Sequence, residues 1–194
     1  MQRFKFLCFL FLLFTQLSTP CFTQEKYEKE SRIKEVDVPE RALTFIHSLS
    51  FKKKVRWFKE DGLNAISYEA KFKHNNARYS VEFDSLGNIE DLEIEVKWDD
   101  LDLNIREVIA QGLMKSCDSY KIRKVQVQYS GSEALIFSQI IGDKQGVQPT
   151  ICYELVVKCV QAKNVELAEY LFNGKGEMLS RSIIVFKNSS HLEY

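Results

Sequence analysis

The chain has little of what marks fibrous, low-complexity or catalytic proteins. It holds three prolines and eight glycines in 194 residues, which excludes collagen-like and low-complexity architectures. Its three histidines, His47, His74 and His191, have no metal-ligand spacing and none neighbours a cysteine. There is no Gly-x-Ser-x-Gly elbow and no phosphate-binding glycine loop leading into a helix. Gly174-Lys175-Gly176 lies between two strand patterns and reads as a hairpin turn. An excess of one charge is also missing. Acidic and basic residues balance at 27 each, so no global field draws the chain to nucleic acid or to an anionic membrane. The expectation is a protein that is not an enzyme, with no cofactor, no metal and no nucleic-acid partner.

What is present begins with an export pattern. Arg3 and Lys5 precede an unbroken apolar run from Phe6 to Phe14, and a small, polar region from Gln16 to Thr23 follows. That order is the order of a secretory signal. The run falls short of the ~20 apolar residues of a membrane span, so a signal is favoured over a membrane anchor. Cleavage after Thr23 leaves Gln24 at the new N-terminus. Cys21 invites lipid anchoring, but Pro20 stands just before it, where a lipobox wants a small residue. The destination is the periplasm or the cell exterior.

Residues 24–36 are charged and nearly free of apolar side chains, and read as a flexible tether. A repeated pattern follows. Asp37-Val38-Pro39-Glu40 has a helix-start spacing in which Asp37 caps and Pro39 enters the first turn. Val38, Ala42, Phe45, Ile46 and Leu49 share one helical face. Strand patterns then run through Val55–Glu60, Ile66–Lys73, Tyr79–Asp84 and Leu92–Trp98. Strict alternation with tight turns specifies antiparallel strands with one buried and one wet face. After Asp102-Leu103-Asn104 comes a second helix with Ile105, Val108, Ile109 and Leu113 on one face. A strand around Val125, Val127 and Tyr129, an apolar segment from Ala134 to Ile141, and strands at Ile151–Val160, Val165–Phe172 and Met178–Phe186 complete the pattern. Tyr68-Glu69 leading to Phe83-Asp84-Ser85-Leu86-Gly87 recurs as Tyr153-Glu154 leading to Phe172-Asn173-Gly174-Lys175-Gly176. The expected fold is α+β, with two tandem repeats at 37–100 and 101–187 and a tail at 188–194. Each repeat places a helix or helices on one face of an antiparallel sheet.

Three cysteines follow the signal. Cys152 and Cys159 sit at odd spacing on one strand and face opposite sides. Cys117 can meet one of them across the fold, or all three can be buried thiols. Phe58 and Trp57 cannot both face inward, so one of them is a candidate exposed anchor.

These residues resemble the PepSY-like secreted proteins of Bacteroidetes, which are related to the β-lactamase-inhibitor-protein fold. The likeness is carried by Val38-Pro39, Trp57, Tyr68-Glu69-Ala70-Lys71-Phe72 and Phe83-Asp84-Ser85-Leu86-Gly87. Tyr153-Glu154 and Phe172 with its glycine turn carry it in the second half, which lacks the Pro and the Trp. The resemblance implies tandem α+β units, an extracytoplasmic location and no catalysis, and related domains have been proposed as inhibitors of proteases or other enzymes. It carries no functional residues with it.

The function expected is that of an exported, non-catalytic binding protein, an inhibitor among the options, acting through an open sheet face. The alternative is a periplasmic small-ligand carrier or sensor with an apolar pocket between sheet and helices. The partner is expected to be another extracytoplasmic protein. The candidate contact residues are Phe58, Glu69, Lys71, Glu82, Glu93 and Glu95 in the first half. Val156, Ile184 and Phe186 join them because they share strand parity with polar residues. Glu93 and Glu95 read as the solvated face of a strand, not as metal ligands. Mass spectrometry of the protein from its native host should find a chain beginning near Gln24; an intact Met1 on the accumulated species would contradict the export signal.

Overall fold

The computed structural model describes residues 24–26, 29–50, 54–62, 65–143 and 146–184. Residues 1–23, expected as an export signal, and Lys52, Lys53, Phe186, His191 and the expected tail lie outside them. Among the described residues, ten strands form one sheet. In chain order they are β1 (Gln24–Lys26), β2 (Lys29–Ile33), β3 (Arg56–Asp61), β4 (Ile66–His74), β5 (Ala77–Phe83), β6 (Ile89–Glu95), β7 (Ser119–Ser130), β8 (Thr150–Gln161), β9 (Asn164–Asn173) and β10 (Met178–Ile184). Helix α1 (Glu40–Ser48) precedes β3, α2 (Leu103–Ser116) precedes β7, and α3 (Glu133–Ile141) joins β7 to β8. From β2 to β10 each strand pairs antiparallel with the next, while β1 adds parallel to β10. Lys29–Ile33, expected as tether, is thus an edge strand. Its backbone pairs with β3 from Asp61 to Trp57, and backbone pairing needs no apolar side chains.

One connection fixes the shape. β1 and β2 lie at opposite edges of the sheet, yet only residues 27 and 28 separate them. Consecutive Cα atoms are about 3.8 Å apart, so three steps keep Lys26 and Lys29 within about 11 Å. Ten strands laid flat at about 4.8 Å spacing would hold the edges about 43 Å apart. The sheet therefore curls until its edges come together, in the direction of its intrinsic twist and coiling.

The apolar parity of the strands carries the helices. Trp57, Ala70, Phe72, Val81, Phe83 and Leu92 form one core with Ala42, Phe45 and Ile46 of α1. The Phe83 ring lies 5.9 Å from Trp57 and 6.1 Å from Phe45, centroid to centroid. The apolar segment from Ala134 to Ile141 is α3, capped by Ser132 and ended by Gly142 at φ 84°. It reaches back to the first core with Ile136 and Ile140. A second core gathers Ile109 and Leu113 of α2 with Leu155, Val157, Ala168, Tyr170 and Phe172. Cys117 at the end of α2 and Cys159 on β8 form a disulfide with Cα atoms 5.5 Å apart, and Cys152 is free.

The first helix starts later than its sequence suggests. Glu35–Asp37 is a separate 3-10 turn, Pro39 is the N-cap of α1, and Asp37 makes no side-chain cap. Pro39 holds Val38 extended at φ −92°, ψ 141°, as a following proline requires, so the two helical pieces cannot fuse. In α2 the N-cap is Asp102, whose side chain accepts from the Asn104 N–H.

Two hairpin turns seat these helices. In the turn after β5, Asp84 Oδ1 accepts from the N–H groups of Leu86 and Asn88, and the Gly87 N–H donates to Asp84 O. In the turn after β9, Asn173 Oδ1 accepts from Lys175 and Glu177, and the Gly176 N–H donates to Asn173 O. Gly87 has φ 82° and Gly176 φ 81°, a region that costs a side-chain-bearing residue about 1–3 kcal/mol. A Cβ at Gly87 would meet Ala42 N at 2.9 Å, and one at Gly176 would meet Ile105 O at 3.0 Å. Each glycine lets a turn lie against the start of a helix. Gly87→Ala and Gly176→Ala should each destabilise the fold by at least about 1–3 kcal/mol, measured by urea unfolding. Gly146→Ala, at a positive φ with open space around it, should cost less than either.

Candidate functional site

The strand parity opposite the helices lines the inside of the curl. Phe58, Glu69, Glu82 and Asp91 stand side by side across β3 to β6. The next row is Arg56, Lys71, Ser80, Glu93 and Gln128. A third holds Lys73 and Arg78, with Glu95, Gln126 and Glu154 continuing it across β6 to β8. The expected clustering of Glu69, Lys71, Glu82, Glu93 and Glu95 on one face is found. The expected solvation is not: Glu69 and Glu93 are 5% exposed, and Ser80 and Gln126 are 4% exposed. Their parity points away from the helices, so the curl of the sheet is what covers them. An open face is replaced by a recessed trough.

Within it, Ser80 Oγ donates to Glu69 Oε1, and Lys71 Nζ lies 2.7 Å from Glu69 Oε2 and 3.0 Å from Glu30 Oε2. Lys71 also sits 4.8 Å above the Phe58 ring centroid, a cation–π arrangement. Burial works against a charged Lys71, but its bonds to Glu69 and then Glu30 outweigh it and its pKa lies above the ordinary value. Gln126 Nε2 donates to Glu93 Oε2, and Gln128 Nε2 to Asp91 Oδ2. Burial first, then Asp91, Glu93, Glu60 and Glu69, pushes the Glu82 carboxyl well above the usual glutamate range. Glu93 is pushed the same way by burial, then by Glu154 and Asp91, with Lys124 opposing.

The trough changes sign along the strands. Toward Lys73 and Arg78 the side chains of Arg56, Lys71, Lys73, Arg78 and Lys124 surround a cavity of about 110 Å³, with Glu69 and Glu95 on its wall. Arg56, Lys73, Arg78 and Lys124 are exposed, and Arg78 pairs with Glu95 at 3.0 Å. The row of Glu69, Glu82 and Asp91 lies four residues along the strands from Lys73 and Arg78. Trp57 is in the core at 4% exposure, which makes Phe58 the aromatic of the polar face.

Val156 and Ile184 are half-buried. Val156 stands between Lys124 and Glu169 on the trough side, and Ile184 pairs with Lys26 of β1. Phe186 lies outside the described residues. Asp91, Arg78, Lys124, Gln126, Gln128 and Glu154 are trough residues that the sequence reading did not single out. The parity of Glu93 and Glu95 extended across the β6–β7 register would have found most of them.

The raised carboxyls make stability fall with pH. A carboxyl whose pKa is higher folded than unfolded keeps its proton longer in the native state. Its stabilisation is therefore full below the ordinary glutamate value of 4.5 and is lost as pH rises through the folded pKa. The melting temperature should decline from pH 4.5 toward neutral. Glu82→Gln, neutral at every pH, should remove part of that slope and melt a few degrees higher than the wild type at pH 7.5. Equal slopes in the two proteins would show that Glu82 is not held protonated.

The chain matches no protein-family model, and no curated protein matches it. Among solved structures, it is similar to a DUF2874 family protein from Bacteroides ovatus, with a TM-score of 0.51 over 76% of this chain and 89% of that one, at 17% identity. At that identity the likeness is one of fold: an antiparallel sheet with helices, shared with a protein of a Bacteroides family.

Proposed function

We propose that this is an exported, non-catalytic binding protein that takes an acidic loop of another extracytoplasmic protein into the basic mouth of its trough. The observation that carries the reading is the gathering of Arg56, Lys73, Arg78 and Lys124 around one cavity in a chain whose formal net charge is zero. Such a field selects and orients a partner more than it adds affinity. Lys71, seated over the Phe58 ring, and Glu95 give the cavity a mixed-charge wall. Inhibition of a partner enzyme is the form of binding that the PepSY-like, β-lactamase-inhibitor-like resemblance favours. The Cys117–Cys159 disulfide supports export, since such bonds persist in oxidising compartments.

The tandem-repeat reading belongs to the same proposal, and several pairings support it. Tyr68 faces Phe83 and Tyr153 faces Phe172 across the equivalent hairpins. Phe83 then pairs with Ile89 and Phe172 with Met178, each next to a register shift. A 3-10 turn, one buried apolar residue and an N-cap precede each helix, with Val38 and Leu101 as the buried residues. Pro39, not Asp37, is then the counterpart of Asp102. A small-ligand carrier is less well supported, because Ala42, Phe45, Ile136 and Ile109 fill the space between helices and sheet at 0–4% exposure.

Reversing Glu69 and Glu82 would test folding more than binding, because both lie inside the trough. The exposed mouth gives the cleaner test. A photoreactive residue at Lys73 should cross-link one protein species in the native host, and the same residue at Met114 on α2 should not. Arg78→Glu with Lys124→Glu should cut that adduct at least tenfold with unchanged circular dichroism. Equal labelling from Met114, or an undiminished adduct in the double variant, would remove the mouth as the interface.

A further inference from the structure

The carboxylates deeper in the trough pose a separate question. Oxygen atoms of Glu69, Glu82 and Glu93 all lie within 4.8 Å of one another. Two ligands on opposite sides of a cation at about 2.4 Å stand about 4.8 Å apart, so this spacing fits one ion coordinated by all three. The surroundings add negative charge: Asp91 and Glu60 press on Glu82, and Glu154 and Asp91 on Glu93, with Lys124 opposing at Glu93 and Lys71 bonded to Glu69. A carboxylate cluster of this kind can also persist by holding protons, so it needs an independent sign of a ligand.

Gln126 gives that sign. The residue is 4% exposed, and its Nε2 donates to Glu93 Oε2, which places the amide against the cluster. Its Oε1 is buried and has no hydrogen-bond partner. A buried amide oxygen left without a donor is destabilising, and an uncharged acceptor beside carboxylates is satisfied by a cation or a donor, not by an anion. Hard cations take this mixture of carboxylate and amide oxygens, and calcium tolerates irregular arrays that magnesium does not.

We infer that the trough floor is a binding site for a hard divalent cation, calcium foremost, held by Glu69, Glu82 and Glu93 with Gln126 Oε1 as the adjoining neutral donor. The cation would bring three carboxylates on three neighbouring strands into one ionised group and brace β4, β5 and β6 against one another. The site adjoins the basic mouth, whose cavity Glu69 and Gln126 also line, and does not depend on a protein partner.

Calorimetric titration of the purified, chelator-treated protein with CaCl2, MgCl2 and MnCl2 at pH 7.5 tests this. One calcium per chain should bind, and the melting temperature should rise with calcium concentration. Glu82→Gln and Glu93→Gln should each weaken calcium at least tenfold. Gln126→Leu, which keeps all three carboxylates, should weaken it severalfold, and Glu133→Gln on α3 should leave it unchanged. Circular dichroism without calcium establishes that the variants are folded. No heat and no melting shift with any of the three cations would overturn the inference. So would calcium binding that is equal in the wild type, Glu82→Gln and Glu93→Gln, because the ion would then sit elsewhere.

Discussion

The two short strands at the N-terminal end of the described chain, β1 and β2, hold opposite edges of a ten-stranded sheet through a link of two residues. That link leaves the sheet no flat state. Once it curls, its two faces cease to be equivalent. The outer face has room for α1, α2 and α3, and the inner face has room only for side chains. The apolar parity must then be the outer one, because three helices need an apolar bed. The polar parity is enclosed as a consequence. A sequence that alternates apolar and polar residues would ordinarily expose the second set; here Glu69, Ser80, Glu93 and Gln126 are nearly as buried as the core.

Enclosure sets the electrostatics. Carboxylates at adjacent strand positions on a solvated face repel weakly, because water screens them. In a sheltered trough the same spacing favours the neutral form of Glu82 and Glu93. Lys71 is held among them by Glu69, Glu30 and the Phe58 ring. The cost is concentrated at the centre of the first half, while the basic residues collect at the mouth. A polar interior of this kind is a feature that function has to account for, since an apolar lining would be more stable.

Much of the fold is legible in the sequence because strand period, turn chemistry and helix faces are local signals. β4 and β5 follow from their alternation, and the two glycine turns from Asp84–Gly87 and Asn173–Gly176. Three things are not local. Lys29–Ile33 has no apolar pattern, since it is held by backbone pairing to β3. The apolar run from Ala134 to Ile141 packs on the first core although it belongs to the second half of the chain. The burial of Glu93 depends on the curl of the whole sheet, so Glu93 and Glu95 read alike in sequence and differ in structure. Phe58 and Trp57 were separable only as a pair; β3 decides which one enters the core.

The curl itself is the claim on which trough, buried carboxyls and cation floor rest. The most direct test is the distance between the sheet edges, measured by pulsed electron resonance with spin labels at Lys29 and Ile184. Ile184 pairs with Lys26, and three backbone steps separate Lys26 from Lys29. The two labelled Cα atoms should therefore lie within about 16 Å, giving a narrow label distance near 20 Å. A distribution centred near the ~38 Å that eight strand spacings span in a flat sheet would contradict the account.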